Sequence, residues 1–188
     1  MKVIGLSGSN VGSKTRTAMD YTVDSLRKNY PGTEVTLIDL ADYEVRFSDG
    51  RHYLDYNGDT GYIVQTIMDA DAIIIGTPIF QASIPATLKN IFDLLPVDAL
   101  RDKVVSMLVT AGSSKHYLIP EQQLKPILGY MKAQIVQTYV FIEEESFYRK
   151  EITDDDVLFR IDRLVEDTVV LTETLTKIRV EKEAEYDF

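Results

Sequence analysis

Cysteine is absent from this chain, so neither a disulfide framework nor a thiolate metal site can be built from it. Histidine is scarce as well: only His52 and His116 occur, which leaves zinc without its usual ligand set. No stretch approaches the roughly 20 apolar residues of a membrane-spanning helix. The opening MKVIGLSG runs from Lys2 straight into a strand-like segment, not into a charged region followed by a long apolar one. These absences lead to the expectation of a cytoplasmic protein with no membrane partner and no metal. Positive charge is also in deficit, with 20 Lys and Arg against 30 Asp and Glu and a formal net charge of -10. Such a balance repels nucleic acid, whose binding depends on neutralising phosphates. Any anionic ligand must then be held by local geometry.

What is present is ordinary for a globular domain: 188 residues, 45% hydrophobic and 27% charged. That length buries a full core without staples, and with no repeat or linker it reads as one domain, 1–188. Val3 to Ser7 is a short buried strand. From Ser13 to Lys28 helical spacing takes over, through Ala18, Tyr21, Thr22 and Leu26, until Pro31-Gly32 turns the chain. Strands follow at 33–38, 72–76, 104–110 and 135–142. Helices are predicted over 61–69, around Leu88 to Leu95, over 120–131 and over 155–180, with an acidic tail from Glu181 to Phe188 expected to fray. Strands alternating with helices imply an α/β fold with a parallel sheet covered on both faces. The expected form is a flavodoxin-like three-layer sandwich with five parallel strands in the order 2-1-3-4-5.

In that order the ligand site lies beyond the carboxyl ends of strands 1 and 3, where the loops after Ser7, Gly76 and Thr110 meet. The first loop, Ser7 to Arg16, joins glycines to the hydroxyls of Ser9, Ser13 and Thr15, with Asn10 among them. It leads into a helix N-terminus, whose free N–H groups and partial positive charge suit a phosphate. Lys14 and Arg16 add local positive charge. Ser13 alternatively serves as the helix N-cap, a role compatible with an anion site. A nucleotide triphosphatase loop is the first rival, but Ser13 stands where that motif needs its second glycine. Strand 3 ends in Gly76-Thr77 and offers no aspartate for magnesium. A receiver domain fares worse still, because strand 1 is followed by Ser7-Gly8-Ser9 and not by acidic residues.

The second loop, Gly76 to Pro85, sets Thr77, Pro78, Ile79, Phe80 and Gln81 between two prolines. It offers backbone donors to the edge of a flat ring and an apolar wall to its face, or else is an ordinary strand-to-helix turn. The third loop, with Thr110, Ala111, Gly112, Ser113 and His116, is small enough for a ring to lie close to the backbone. His116 would contact the ring or a nicotinamide phosphate, or merely cap the turn.

Taken together, these loops resemble the NADPH-dependent FMN reductase family, and most of all the flavin reductases of alkanesulfonate and aminopolycarboxylate monooxygenase systems. The resemblance is carried by Gly8-Ser9-Asn10 with Ser13-Lys14-Thr15 and by Thr77-Pro78-Ile79-Phe80 with Leu88-Lys89 and Asp93-Leu94-Leu95-Pro96. It continues in Thr110-Ala111-Gly112-Ser113 with His116, followed by Leu124-Lys125-Pro126-Ile127-Leu128. It implies FMN with its phosphate at Ser9, Ser13, Lys14 and Thr15, and its ring against Pro78 to Gln81 and Thr110 to Ser113. It also implies hydride transfer from NADPH or NADH to the flavin and on to a small-molecule electron acceptor. Such chemistry is borne by the cofactor and needs no catalytic side chain.

Ala86 and Ala111 stand where the family often has glycine, and Phe80 and Ile84 replace frequent tyrosines. Gln122 occupies the place of a tyrosine that in some relatives accompanies an altered helix and FMN release. Its presence points to FMN kept as a prosthetic group. The segment 41–61 lacks periodicity but carries Tyr43, Phe47, His52, Tyr53 and Tyr56. In relatives this region helps form a dimer, so a homodimer or tetramer is expected. The alternative is a flavodoxin-like electron carrier or a redox-sensing flavoprotein without nicotinamide turnover, which the acidic composition also suits.

Overall fold

The computed structural model describes residues 1–186. Strands β1 (Lys2–Ser7), β2 (Glu34–Asp39), β3 (Ala72–Pro78), β4 (Val104–Ala111), β5 (Gln134–Ile135) and β6 (Val140–Glu143) form one parallel sheet. Its order is β2-β1-β3-β4-β5, with β6 also on β4, as the alternating pattern predicts. The crossovers are α1 (Lys14–Asn29), α2 (Gly58–Asp69), α3 (Ala86–Leu94) and α4 (Lys125–Tyr130), and α5 (Asp155–Tyr186) closes the chain.

Alternate strand residues feed two cores. Ile73, Ile75, Val105 and Met107 meet Ile63, Ile67, Leu88, Ile91 and Leu128 from α2, α3 and α4. Ala72, Ile74, Val104 and Leu108 meet Met19 and Leu26 of α1 and Ile161 and Val165 of α5. Burial on both faces explains why these strands read as unbroken apolar runs. Each such Val, Leu, Ile or Met side chain contributes about 1.5–3 kcal/mol.

Three elements depart from the expected pattern. The fifth strand is interrupted: Val105 pairs with Ile135 but Leu108 with Val140, so it carries two residues more than β4 over that stretch. Gln137 and Thr138 are pushed out of the ladder and stand exposed. The fourth helix begins as a π turn, Pro120–Leu124, in which the Lys125 N–H reaches the Pro120 carbonyl. Pro126 has no N–H to give the Gln122 carbonyl, so a uniform α-helix over 120–131 would have a gap in its ladder. Lastly, α5 runs to Tyr186, past the helix end predicted at Val180. Lys182, Glu183 and Ala184 are good helix formers with no Gly or Pro among them. The tail expectation for Asp187 and Phe188 falls outside the described residues.

The start of α5 is fixed by Asp154. Its carboxylate accepts the N–H groups of Asp156 (3.0 Å) and Val157 (3.3 Å) and the Ser146 hydroxyl (3.1 Å). These bonds, the Ser146 hydroxyl foremost, hold its pKa below the usual 3.8. A carboxylate with a depressed folded pKa stabilises above its unfolded pKa, and that contribution is lost as pH falls through the folded value. Asp154→Ala is therefore expected to lower the melting temperature at neutral pH. The gap to the parent should close in melts below pH 3.8.

Candidate functional site

The first loop leaves β1 by threading between β3 and α3. The Gly8 N–H donates to the Gly76 carbonyl (2.8 Å) and the Thr87 hydroxyl donates to the Gly8 carbonyl (2.8 Å). A Cβ on Gly8 would lie 3.1 Å from the Leu88 side chain, so the approach is close. Past it the loop opens. Gly12 has φ +85°, and a Cβ there would meet nothing within 4 Å.

Ser13 occupies the N-cap position of α1, yet its hydroxyl makes no capping bond. The N–H groups of the first helical turn, at Lys14, Thr15 and Arg16, have no intrahelical acceptor. The helix end is anchored from below by a buried hydrogen bond between the Thr15 and Thr110 hydroxyls (2.7 Å). That bond ties the first loop to the third.

A cavity of about 370 Å³ sits where the loops converge. The first loop supplies Val11, Gly12, Ser13, Lys14 and Thr15 to its lining. The second supplies Pro78, Ile79 and Phe80, and the third Thr110, Ala111 and Gly112. The Ile79 N–H to Thr110 carbonyl bond (3.1 Å) carries the β3–β4 pairing up to its rim.

The other residues expected at the site lie off this lining. Ser9 is buried and turned on its own loop, its hydroxyl donating to the Val11 carbonyl (2.8 Å) and accepting from the Val11 N–H (3.2 Å). Asn10 faces a second hollow beside Tyr43, Phe47 and Asn90. Thr77 is fully buried, its hydroxyl donating to the Pro78 carbonyl. Gln81 is exposed in the turn after Phe80. The Ser113 hydroxyl caps the short turn Ser114–His116, on which His116 is half-buried.

One lining residue escapes the sequence reading. Glu144, just past β6, faces the cavity and forms an ion pair with Lys14, with side chains 67% and 41% exposed respectively. Their separation of 130 residues hides the pair from any local motif. Arg16 is engaged elsewhere, by Asp39 (2.8 Å), Asp20 (2.9 Å) and Asp42 (3.0 Å). Those hydrogen bonds, Asp39 foremost, raise its pKa above the ordinary arginine value. Among the described residues no group of His, Asp and Glu is placed to hold a metal ion, and no helix is long and apolar enough to cross a membrane.

Residues 1–146 match the family model of the NADPH-dependent FMN reductases. The chain belongs to that family. An NAD(P)H-dependent FAD/FMN reductase of Geobacillus thermodenitrificans is 39% identical over 170 residues, covering 90% of this chain and 92% of the relative. An NADH-dependent FMN reductase, SfnF, of Pseudomonas fluorescens is 29% identical, covering 86% of each. Among solved structures, the apo form of the NADH:FMN oxidoreductase EMOB superposes with a TM-score of 0.75 at 26% identity, covering 89% of this chain and 87% of that one. An archaeal flavodoxin at 15% identity and TM-score 0.64, covering 92% and 99%, shares the fold. As a member of the family this FMN reductase is a flavin-dependent oxidoreductase with NAD(P)H as its reductant.

The donor set suits an FMN. An uncapped helix start with a free Ser13 hydroxyl and an open glycine matches a phosphate, which needs several convergent donors. Pro78, Ile79 and Phe80 offer a flat apolar wall, and Ala111 and Gly112 leave room for a ring beside the backbone.

Proposed function

We propose that this cavity is the flavin site, with the FMN phosphate on Gly12 to Thr15 and the ring between Pro78–Phe80 and Thr110–Gly112. The observation that carries this reading is the uncapped start of α1 meeting an apolar wall in one cavity. When bound, the flavin supplies hydride acceptance at N5 and passes electrons to a small acceptor such as a flavin, quinone or azo compound. The protein's part is positioning. Backbone N–H groups and Ser13 orient the phosphate end, and the Pro78–Phe80 wall orders the ring and the nicotinamide stacked on it. Lys14 and Glu144 are the only ionisable side chains of the lining, and their pairing leaves no poised acid or base.

The test is the visible spectrum of the purified protein before and after NADPH or NADH under nitrogen. Flavin bands that bleach support the reading. A colourless protein that consumes NAD(P)H only with added FMN supports it too, with flavin as a diffusible substrate. No turnover in either case overturns it.

The expectation of a prosthetic FMN rests on Gln122 standing where some relatives carry a tyrosine that accompanies an altered helix and FMN release, yet a π turn occupies that place here without the tyrosine. We read the FMN instead as reversibly bound, because the one cation of the lining is already paired with Glu144. A phosphate must share Lys14 with that carboxylate and bear its repulsion. Glu144→Gln is expected to tighten FMN binding about tenfold, the effect of roughly 1.4 kcal/mol of relieved repulsion at a partly exposed site. Riboflavin, lacking the phosphate, should bind equally to both proteins in fluorescence titrations. Equal effects on the two ligands would count against the reading.

We also infer one domain acting in the cytoplasm as a homodimer. Segment 41–57 is strapped to α3 by Ser48 N–H to Asn90 Oδ1 (2.9 Å), Asn90 Nδ2 to the Arg46 carbonyl (2.9 Å) and Ser48 Oγ to the Asp93 carbonyl (2.9 Å). Tyr56 is drawn into the chain's own core while Phe47 is left 75% exposed. Phe47 is the aromatic we place at the interface. A monomeric mass by light scattering at micromolar concentration would refute the dimer.

A further inference from the structure

The turn after β3 is made of residues that resist its shape. Phe80 and Ser83 exchange both backbone hydrogen bonds, each 2.9 Å, which closes a two-residue hairpin. Its central residues have positive φ, 49° at Gln81 and 57° at Ala82. Turns of this kind favour Asn-Gly, because both central residues enter the left-handed region. A Cβ there crowds the following carbonyl oxygen. Strain of this sort persists only where the surroundings over-determine it.

Among the described residues the side chain that hydrogen-bonds to this turn is Gln123. Gln123, in the π turn, reaches across to the hairpin with both ends of its amide. Its Oε1 accepts from the Ser83 hydroxyl (2.5 Å) and its Nε2 donates to the Ala82 carbonyl (3.1 Å). The π turn sets the direction of that reach. One residue of extra winding rotates the side chains before it by about 100° relative to those after it. The hairpin also has a face on the cavity, because its first residue, Phe80, lines it beside Pro78 and Ile79. Gln123 itself does not line the cavity.

We propose that Gln123 is a positioning residue: its amide clamps the strained Phe80–Ser83 turn and so fixes Phe80 as the wall that orders flavin and nicotinamide. The functional half of this statement rests on the cavity being the flavin site, while the clamp itself does not. Without the clamp the turn relaxes toward conformations with negative φ, and Phe80 leaves its place. The π turn then has a function, since it aims the amide at the hairpin.

A double-mutant cycle tests this with Gln123→Ala, Ala82→Gly and the two combined. Glycine at position 82 removes the strain at one of the turn's two central residues, the one whose carbonyl the clamp holds. The first readout is hydrogen exchange at the Phe80 and Ser83 amides in protein free of flavin. Gln123→Ala should speed both about tenfold, the loss of a net hydrogen-bond contribution, and Ala82→Gly added to it should restore most of the protection. The second readout is FMN affinity and steady-state kinetics. Gln123→Ala should weaken FMN binding about fivefold and raise KM for NADH more than it lowers kcat, with the same repair by Ala82→Gly. Unchanged exchange at the two amides, or losses that Ala82→Gly leaves unrepaired, would overturn the clamp. Should Gln123→Ala fail to fold, Ser83→Ala removes one of the two bonds and must shift exchange in the same direction. If the parent protein binds no flavin, the site reading fails and the exchange cycle still decides the clamp.

Discussion

Replacing Ser13 by aspartate is expected to weaken FMN binding about a hundredfold while leaving the melting temperature unchanged or slightly raised. The two effects separate because the position has two unconnected physical roles. For the fold, Ser13 is the N-cap residue of α1 and its hydroxyl makes no capping bond, so nothing is lost when it is replaced. Aspartate is among the best N-cap residues, and its charge suits the positive end of the helix. For the ligand the same charge is in the wrong place. Ser13 lines the cavity at the proposed phosphate position. A carboxylate about 5 Å from a phosphate charge, at an effective dielectric near 20, is opposed by about 3 kcal/mol. Parallel titrations with FMN and riboflavin, beside a thermal melt, read all three quantities. FMN binding that survives at full strength would move the phosphate away from α1, and the site with it.

The middle of the sheet was legible because β1, β3 and β4 are buried on both faces. Runs such as Ala72 to Gly76 have no periodicity to mislead, and the small residues that end them mark the carboxyl edge where ligands bind. Nine of the residues expected at the site do line one cavity, because loops at one edge of a parallel sheet must converge: Ser13, Lys14, Thr15, Pro78, Ile79, Phe80, Thr110, Ala111 and Gly112. What stayed hidden depends on contacts that no local pattern encodes. Ser9 has the chemistry of a phosphate ligand but spends its hydroxyl on its own loop. Glu144 reaches the cavity from the far end of the sheet and carries no motif. The fifth strand reads as a single run from Ile135 to Ile142 broken only by the polar pair Gln137-Thr138, and it takes the register against β4 to show that the strand carries two surplus residues there. The π turn did have a signal. Pro126, sitting inside a predicted helix, forbids one bond of the ladder.

The second large effect is structural in origin and reaches the site through α1. Gly76→Ala is expected to destabilise the protein by about 3 kcal/mol, at the upper end of the usual cost of overpacking a core. A Cβ at position 76 would stand 2.5 Å from both Cγ and Sδ of Met19 and 3.2 Å from Cγ2 of Thr15. Met19 is fully buried and cannot swing outward. Its Cε lies over Gly5 on the neighbouring strand, 3.0 Å from where a Cβ there would be. The methionine thus lies across two glycines on neighbouring strands, and the start of α1 rides on that floor. Raising the floor lifts the helix and strains the buried bond between the Thr15 and Thr110 hydroxyls, which holds the first and third loops together. FMN affinity should fall with stability, unlike the Ser13 case, where only affinity moves. Urea unfolding of Gly76→Ala, Met19→Ala and the double variant separates this account from a general loss of strand propensity. Met19→Ala alone leaves a cavity and costs about 2–5 kcal/mol. In the double variant the new methyl group enters that space, so the combined loss must be well below the sum of the two. Additive losses would show that Gly76 does not serve the approach of Met19, and that the helix start owes its position to something else.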